Sequence, residues 1–200
     1  MRNSTNKLID AAAIMTDVGG VLNRTAFSQF DQILAEQAKE PVETVRRTES
    51  TLRHELDAGG MTVEAFVKAM NDELSLSYTP SEYKTLLREH VTWYKEIIEE
   101  YATIEKPTYI LSNNSALFID EATRSFLNPA FDKQFYSHIL EVRKPHPGIY
   151  EHVLSNVEEP PEKIVFIDDK QRNLDAATNF GLQTNHSKNP YDTYLSLRRF

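Results

Sequence analysis

Residues 16–23 read TDVGGVLN and follow directly on the apolar run Ala11-Ala12-Ala13-Ile14-Met15. A short apolar run closed by turn residues is the pattern of a buried strand, here ending in a carboxylate, Asp17, and turning on Gly19 and Gly20. A single aspartate after a strand is usually a turn former or a helix cap. Its meaning depends on what the other strand ends carry.

Three more runs of the same kind lie in the C-terminal half: PTYILSNN (107–114), KQFYSHIL (133–140) and KIVFIDD (163–169), with GLQTNHS (181–187) as a shorter last strand. Each is followed by a helix-like segment. Alternation of strand and helix at this spacing predicts a parallel sheet with helices on both faces. Pro147 opens one of those helices and Gly181 falls where a C-cap glycine would close another, while Pro160-Pro161 makes a rigid approach to the strand at Lys163.

Between the first strand and the second, about eighty residues have a different character. Apolar positions recur there at helical spacing: Phe27, Phe30, Ile33 and Leu34; Phe66, Val67, Met70 and Leu74; Leu86, Leu87, Val91, Tyr94 and Ile98. TPSEY supplies a helix start with Thr79 as N-cap, Pro80 at the first helical position and Glu82 three residues after the cap. DAGGMT (57–62) is a break between helices. The expectation is an α/β fold: a Rossmann-like three-layer core with a central parallel sheet, formed by 1–24 and 104–200, and an all-helical cap inserted at 25–103. Trp93, Tyr94 and Tyr101 are expected to pack helices rather than to form a substrate platform.

A chain of 200 residues can bury one core of domain size and a subordinate lobe. No stretch approaches the roughly 20 apolar residues of a membrane helix. The opening MRNSTNKLID is polar and lacks the apolar core of a signal peptide, so the expected location is the cytoplasm. There is no cysteine, which excludes disulfides, thiolate zinc sites and a cysteine nucleophile together. The formal charge of −8, with no concentrated Lys/Arg patch, argues against a nucleic-acid surface. An acidic protein that handles an anionic ligand needs a local cation, either a metal or a placed lysine.

Ligands of parallel sheets bind beyond the carboxyl ends of the strands. The polar residues expected there are Asp17; Ser112, Asn113 and Asn114; and Asp168 with Asp169, while Lys144 in EVRKPHPGIY follows the third strand. Three converging carboxylates repel one another unless a cation neutralises them, and a hard, all-oxygen donor set suits Mg²⁺. With a hydroxyl, backbone N–H groups and a lysine added, the cluster becomes a cradle for a phosphate dianion. A carboxylate nucleophile beside a metal and a lysine suggests phosphoryl transfer.

The ordered set TDVGGVL, ILSNN, RKPHPGIY and VFIDDKQRNLDAA resembles the four motifs of the haloacid dehalogenase-like hydrolase superfamily, in particular the branch with alpha-glucose-1-phosphate phosphatase and the epoxide hydrolase phosphatase domain. The resemblance covers nearly the whole chain, because that superfamily also inserts a helical cap between its first and second motifs. It implies Asp17 as nucleophile and magnesium ligand, and Ser112 with the Asn113 N–H as holders of the phosphoryl group. Lys144 would pair with nucleophile and phosphate, and Asp169 would ligate magnesium. Asp168 would act on the metal through water or as an alternative ligand, with Asn173 bracing the loop. The substrate implied is a small phosphorylated metabolite, with sugar phosphates as the first expectation.

The departure from the motif is Gly19. Most phosphatases of the superfamily carry a second aspartate there, which protonates the leaving oxygen and later activates water; glycine keeps the carbonyl that binds the metal and loses the acid. Such help is worth ~10²–10⁴ in rate. Two alternatives follow: a catalytically weak phosphate-ligand or partner-binding member of the fold, or a dehalogenase, which also lacks the second aspartate. The paired aspartates of FIDD favour the magnesium-dependent reading over halide displacement. His54, near the helix break, is a candidate substitute proton donor.

Overall fold

The computed structural model describes residues 10–198. Residues 1–9, which hold most of the polar opening stretch and the start of the expected core segment, lie outside it. Strand β1 (Ala13–Thr16) leads into β2 (Asn23–Thr25) and four helices, α1 (Phe27–Ala38), α2 (Val42–Asp57), α3 (Val63–Leu74) and α4 (Pro80–Glu89). The chain returns through β3 (Val91–Trp93) and α5 (Lys95–Tyr101). It then alternates β4 (Thr108–Ser112), α6 (Glu121–Leu127), β5 (Lys133–Tyr136), α7 (Ser137–Leu140), α8 (Pro147–Leu154), β6 (Ile164–Asp168), α9 (Gln171–Asn179), β7 (Gln183–His186) and α10 (Pro190–Leu197).

The five-stranded sheet is parallel throughout, in the order β5-β4-β1-β6-β7. Every residue of β1, β4 and β6 is buried, which is why these strands read as unbroken apolar runs. Successive side chains point to opposite faces. Ile14, Ile110, Val165 and Ile167 therefore pack on one side against Ile97, Ile98 and Tyr101, and Met15, Leu111 and Phe166 on the other against Ile149, Tyr150 and Leu174. From β1 the chain first builds the β4–β5 side of the sheet and then crosses to β6 and β7. The carboxyl ends of β1, β4 and β6 thus meet at the topological switch point.

Helices α1–α4 bury an apolar cluster of their own, built on Phe30, Leu34, Phe66, Val67, Met70 and Tyr83. Thr79 and Glu82 form the full capping box expected at the start of α4. Two sequence expectations differ from the structure. The helical spacing traced through Leu86 to Ile98 is broken at His90, where β-branched and aromatic Val91-Thr92-Trp93 pair antiparallel with Asn23–Thr25. A strand of three residues is too short to display its alternation. KQFYSHIL is strand only to Tyr136; Ser137–Leu140 turns into helix α7. No helix among the described residues is long and apolar enough to cross a membrane.

Candidate active site

Asp17 directly follows β1 at the centre of the sheet, where both neighbouring strands end beside it. It is 4% exposed. Its Oδ1 accepts from the Ser112 hydroxyl at 2.5 Å and from the Val18 N–H at 2.7 Å, and the Lys144 ammonium stands 3.2 Å away. Asn114 Nδ2 donates to Ser112 Oγ at 3.0 Å, which aims the serine hydroxyl at Asp17.

Lys144 is fully enclosed. Its Nζ donates to Asp168 Oδ2 and to the Leu111 carbonyl, both at 2.7 Å, and lies 5.0 Å above the Phe166 ring. Asn113 fixes the lysine loop: its Nδ2 donates to the Lys144 carbonyl at 2.8 Å, and its Oδ1 accepts from the Lys144 N–H at 2.7 Å. Burial works against the charged lysine, but Asp168 and Asp17 outweigh it and hold the ammonium above the usual lysine range.

Asp168 has no exposed surface and is held on all sides. Asn173 Nδ2 donates to both of its oxygens, at 3.0 and 2.9 Å, and the Lys170 N–H donates to Oδ1 at 2.7 Å. Asp169 is held differently. Its Oδ1 is buried with no hydrogen-bond partner among the described residues. Gly20, at φ +81°, gives this carboxylate room, since a Cβ there would lie 2.6 Å from Asp169 Oδ2.

Asp17, Asp168 and Asp169 each offer an oxygen, and the three oxygens lie within 4.8 Å of one another. Burial raises the Asp17 carboxyl above its usual range, Lys144 pulls it back and Asp168 raises it again. Burial, followed by Asp17 and Asp168, outweighs Lys170 and pushes Asp169 up to about 6. Lys144 and Lys170 together do not neutralise three carboxylates. An orphaned buried oxygen in a hard, all-carboxylate cluster is the donor set that fits a divalent metal ion such as Mg²⁺.

The structure thus brings together all the residues expected from sequence: Asp17, Gly19, Ser112, Asn113, Lys144, Asp168, Asp169 and Asn173. It adds others for which no role was legible in sequence. A cavity of about 450 Å³ opens beside Gly19, Asn113 and Asn114, and Arg53, Asp57 and Arg143 form part of its wall. Arg53 contacts Glu49 and lies 4.0 Å over the Phe27 ring. Arg143 Nη1 donates to the His54 carbonyl at 3.4 Å, and its Nε is buried without a partner among the described residues. His54 also lines the cavity and is exposed; Arg143, with some burial, lowers its pKa below the usual histidine range.

Asp57 is the last residue of α2 and is 8% exposed. Burial pushes its carboxyl up to about 6 against the pull of Arg53, Arg143 and Lys170. Its backbone is fastened to the sheet side of the molecule, because the Ser137 hydroxyl donates to the Asp57 carbonyl. Two residues on, Gly59 at φ +78° lets the turn close on α7; a Cβ there would lie 2.8 Å from the His138 carbonyl. The DAGG signal marked the helix break in sequence. That this break docks on the wall of the cavity beside Gly19, Asn113 and Asn114 depends on tertiary contacts.

The family model of the haloacid dehalogenase-like hydrolases matches residues 11–181. Among characterised proteins, the sesquiterpene phosphatase astK of Aspergillus oryzae is 35% identical over 69 residues, which are 34% of this chain and 35% of that protein's length. Among solved structures, a predicted HAD-like family hydrolase from Porphyromonas gingivalis superposes with a TM-score of 0.78 at 21% identity, over 88% of this chain and 91% of that one. A HAD family enzyme from Bacteroides thetaiotaomicron, solved in complex with magnesium and inorganic phosphate, superposes with a TM-score of 0.74 at 15% identity, over 88% and 93%. The family match runs from the strand that carries Asp17 to the glycine before the last strand, and the chain belongs to the haloacid dehalogenase-like hydrolase family.

Proposed function

We propose that this protein is a Mg²⁺-dependent phosphatase that hydrolyses a small phosphorylated metabolite, a sugar phosphate being the leading candidate, through an aspartyl-phosphate on Asp17. The observation that carries this reading is the setting of Asp17: a buried carboxylate oriented by Ser112 and Val18, beside a fixed ammonium and two further aspartates. The phosphatase astK and the neighbour solved with magnesium and phosphate support it at the level of reaction class.

In this mechanism Asp17 attacks phosphorus and the phosphorus–oxygen bond to the leaving group breaks. Ser112 and the Asn113 N–H hold the transferring phosphoryl oxygens, and Lys144 offsets the charge that builds between nucleophile and phosphate. Asn173 and the Lys170 N–H keep Asp168 in place. Asp17, the Gly19 carbonyl and Asp169 would hold the magnesium ion, with Asp168 acting directly or through water. When bound, the ion neutralises the carboxylates and polarises phosphoryl oxygens.

We read helices α1–α4 of the expected segment 25–103 as the cap that closes this site and selects the substrate, while α5 packs on the sheet. A cavity of about 450 Å³ suits a small molecule. Its walls carry Arg53, Arg143, Lys170 and Arg172 against few apolar side chains, which favours a polar anionic metabolite over a hydrocarbon chain. The test is hydrolysis of an aryl phosphate with and without Mg²⁺, in the wild type and in Asp17→Asn. The reading expects turnover that needs both the ion and Asp17. Folded protein that binds Mg²⁺ and phosphate, yet releases no phosphate from aryl, acyl or sugar phosphates, would instead establish a binding protein.

A further inference from the structure

The phosphatase reading leaves one proton unassigned. Asp17, once phosphorylated, cannot give the leaving oxygen a proton, and Lys144 is committed to Asp168, Asp17 and the Leu111 carbonyl. Position 19 has no side chain, and the space a Cβ would enter is empty to 4 Å. That space opens into the cavity whose wall includes Asp57.

Three observations single out Asp57 on that wall. It is buried, and its Oδ1 makes no hydrogen bond of good geometry among the described residues, with the unpartnered Ser115 hydroxyl as the side chain that pulls on the carboxyl. It is also held in register with the nucleophile. The Ser137 hydroxyl donates to the Asp57 carbonyl and accepts from the Asn114 N–H at 3.0 Å, while the Asn114 side chain donates to Ser112 and Ser112 to Asp17. Finally, the glycine turn after Asp57 is pressed against the His138 carbonyl, so the end of α2 is seated on the sheet side of the cavity. We propose that Asp57, brought from the helical segment, is the general acid for the leaving oxygen and the general base for the hydrolytic water, taking the place of an acid at position 19. This inference rests on the phosphatase reading.

The proton balance closes. Asp17 attacks phosphorus; the bond to the leaving oxygen breaks with its electron pair, and that oxygen takes the proton from the Asp57 carboxyl, leaving an alcohol and the Asp57 carboxylate. The carboxylate then takes a proton from water as its oxygen attacks phosphorus, the bond to Asp17 breaks, and inorganic phosphate departs with Asp57 protonated again. The charged and titratable groups around Asp57 are Arg53, His54 and Glu49 on α2, Arg143 after α7, His138 on α7, and Lys170 and Arg172 at the start of α9, with the Ser115 hydroxyl nearby. Burial outweighs the cations, which leaves the carboxyl at about 6 and able both to give and to take a proton near neutrality.

The test compares Asp57→Asn with the wild type on an aryl phosphate, whose leaving group needs no proton, and on an alkyl phosphate, whose leaving group does. With the alkyl ester kcat/KM is expected to fall by about 10²–10⁴, the usual value of acid–base help, and to lose its descending alkaline limb. With the aryl ester kcat/KM should fall far less, because phosphoryl transfer proceeds unaided, while kcat drops. Rapid mixing should then show a burst of about one equivalent of aryl alcohol as the aspartyl-phosphate accumulates. Adding Gly19→Asp to Asp57→Asn should restore alkyl-ester kcat/KM by at least about tenfold. Equal falls in kcat/KM for both esters, with no burst and no recovery by Gly19→Asp, would show a structural role only and overturn the proposal. No change with either ester would also overturn it, and in both cases the phosphatase reading stands. A wild type that hydrolyses neither ester removes that reading and this one together.

Discussion

Lys144→Met tests how the site balances charge. The methionine keeps most of the volume and all of the apolar stem but removes the ammonium that bonds Asp168 at 2.7 Å and faces Asp17 at 3.2 Å. Asp168 is 0% exposed, so no water can replace the lost partner. Removing one member of a buried ion pair costs about 3–5 kcal/mol, because the remaining charge is stranded. For a chain of this size, each kcal/mol corresponds to roughly 2–4 °C in Tm, so the loss should be on the order of 6–20 °C. The stranded carboxylates can escape the cost only by binding protons, so the deficit should shrink as pH falls toward about 4. Urea unfolding of Lys144→Met, Asp168→Asn and the double variant, without metal, measures the coupling. The pair should show at least about 1.5 kcal/mol of interaction, with the double variant more stable than Lys144→Met alone. A loss below about 1 kcal/mol that does not vary with pH would refute the reasoning.

Further outcomes follow from the same geometry. Gly20→Ala places a Cβ 2.6 Å from Asp169 Oδ2 at φ +81°, whereas Gly19→Ala enters open space; thermal melts should show a loss of about 1–3 kcal/mol for the first and within about 0.5 kcal/mol for the second. Without metal, Asp169→Asn should raise Tm by relieving a half-buried carboxylate with an unpartnered oxygen and should also abolish the rise in Tm that Mg²⁺ gives the wild type, a rise worth about 2.7 kcal/mol at a hundred times Kd. Glu49 is 2% exposed, and burial lifts its carboxyl from 4.5 to about 7 despite Arg53. The folded state therefore holds a proton that the unfolded state releases, and this group's contribution to stability declines as pH rises from 4.5 to about 7. At ~1.4 kcal/mol per unit, the decline amounts to at most about 3.5 kcal/mol, and Glu49→Gln should flatten that part of the stability–pH curve.

The core of the fold was legible in sequence because β1, β4 and β6 are buried on both faces. Their interiors are apolar, and a polar residue stands at or just past each carboxyl end. Asp17, Ser112 and Asp168 could be found at those ends. Lys144 could be found by its motif, but its complete enclosure, which fixes its charge, could not. The β2–β3 pairing was hidden because three-residue strands carry no period, and the helical ending of KQFYSHIL because four residues carry little more. Asp57 and Arg143 were hidden for a different reason. They are polar residues at a helix end and in a loop, where polar residues are ordinary. Only the docking of the glycine turn on α7 puts Asp57 on the cavity wall with Arg143, Gly19 and Asn113.

A covalent phosphoryl group on Asp17 can be read directly. The protein is mixed with Mg²⁺ and a phosphate-labelled aryl or acyl phosphate and quenched in acid within milliseconds; the peptides are then mapped by mass spectrometry. One substoichiometric, hydroxylamine-labile phosphate is expected on the peptide that contains Asp17, more of it in Asp57→Asn and none in Asp17→Asn. Phosphate release at an undiminished rate by Asp17→Asn, or a label on any other residue, would contradict it.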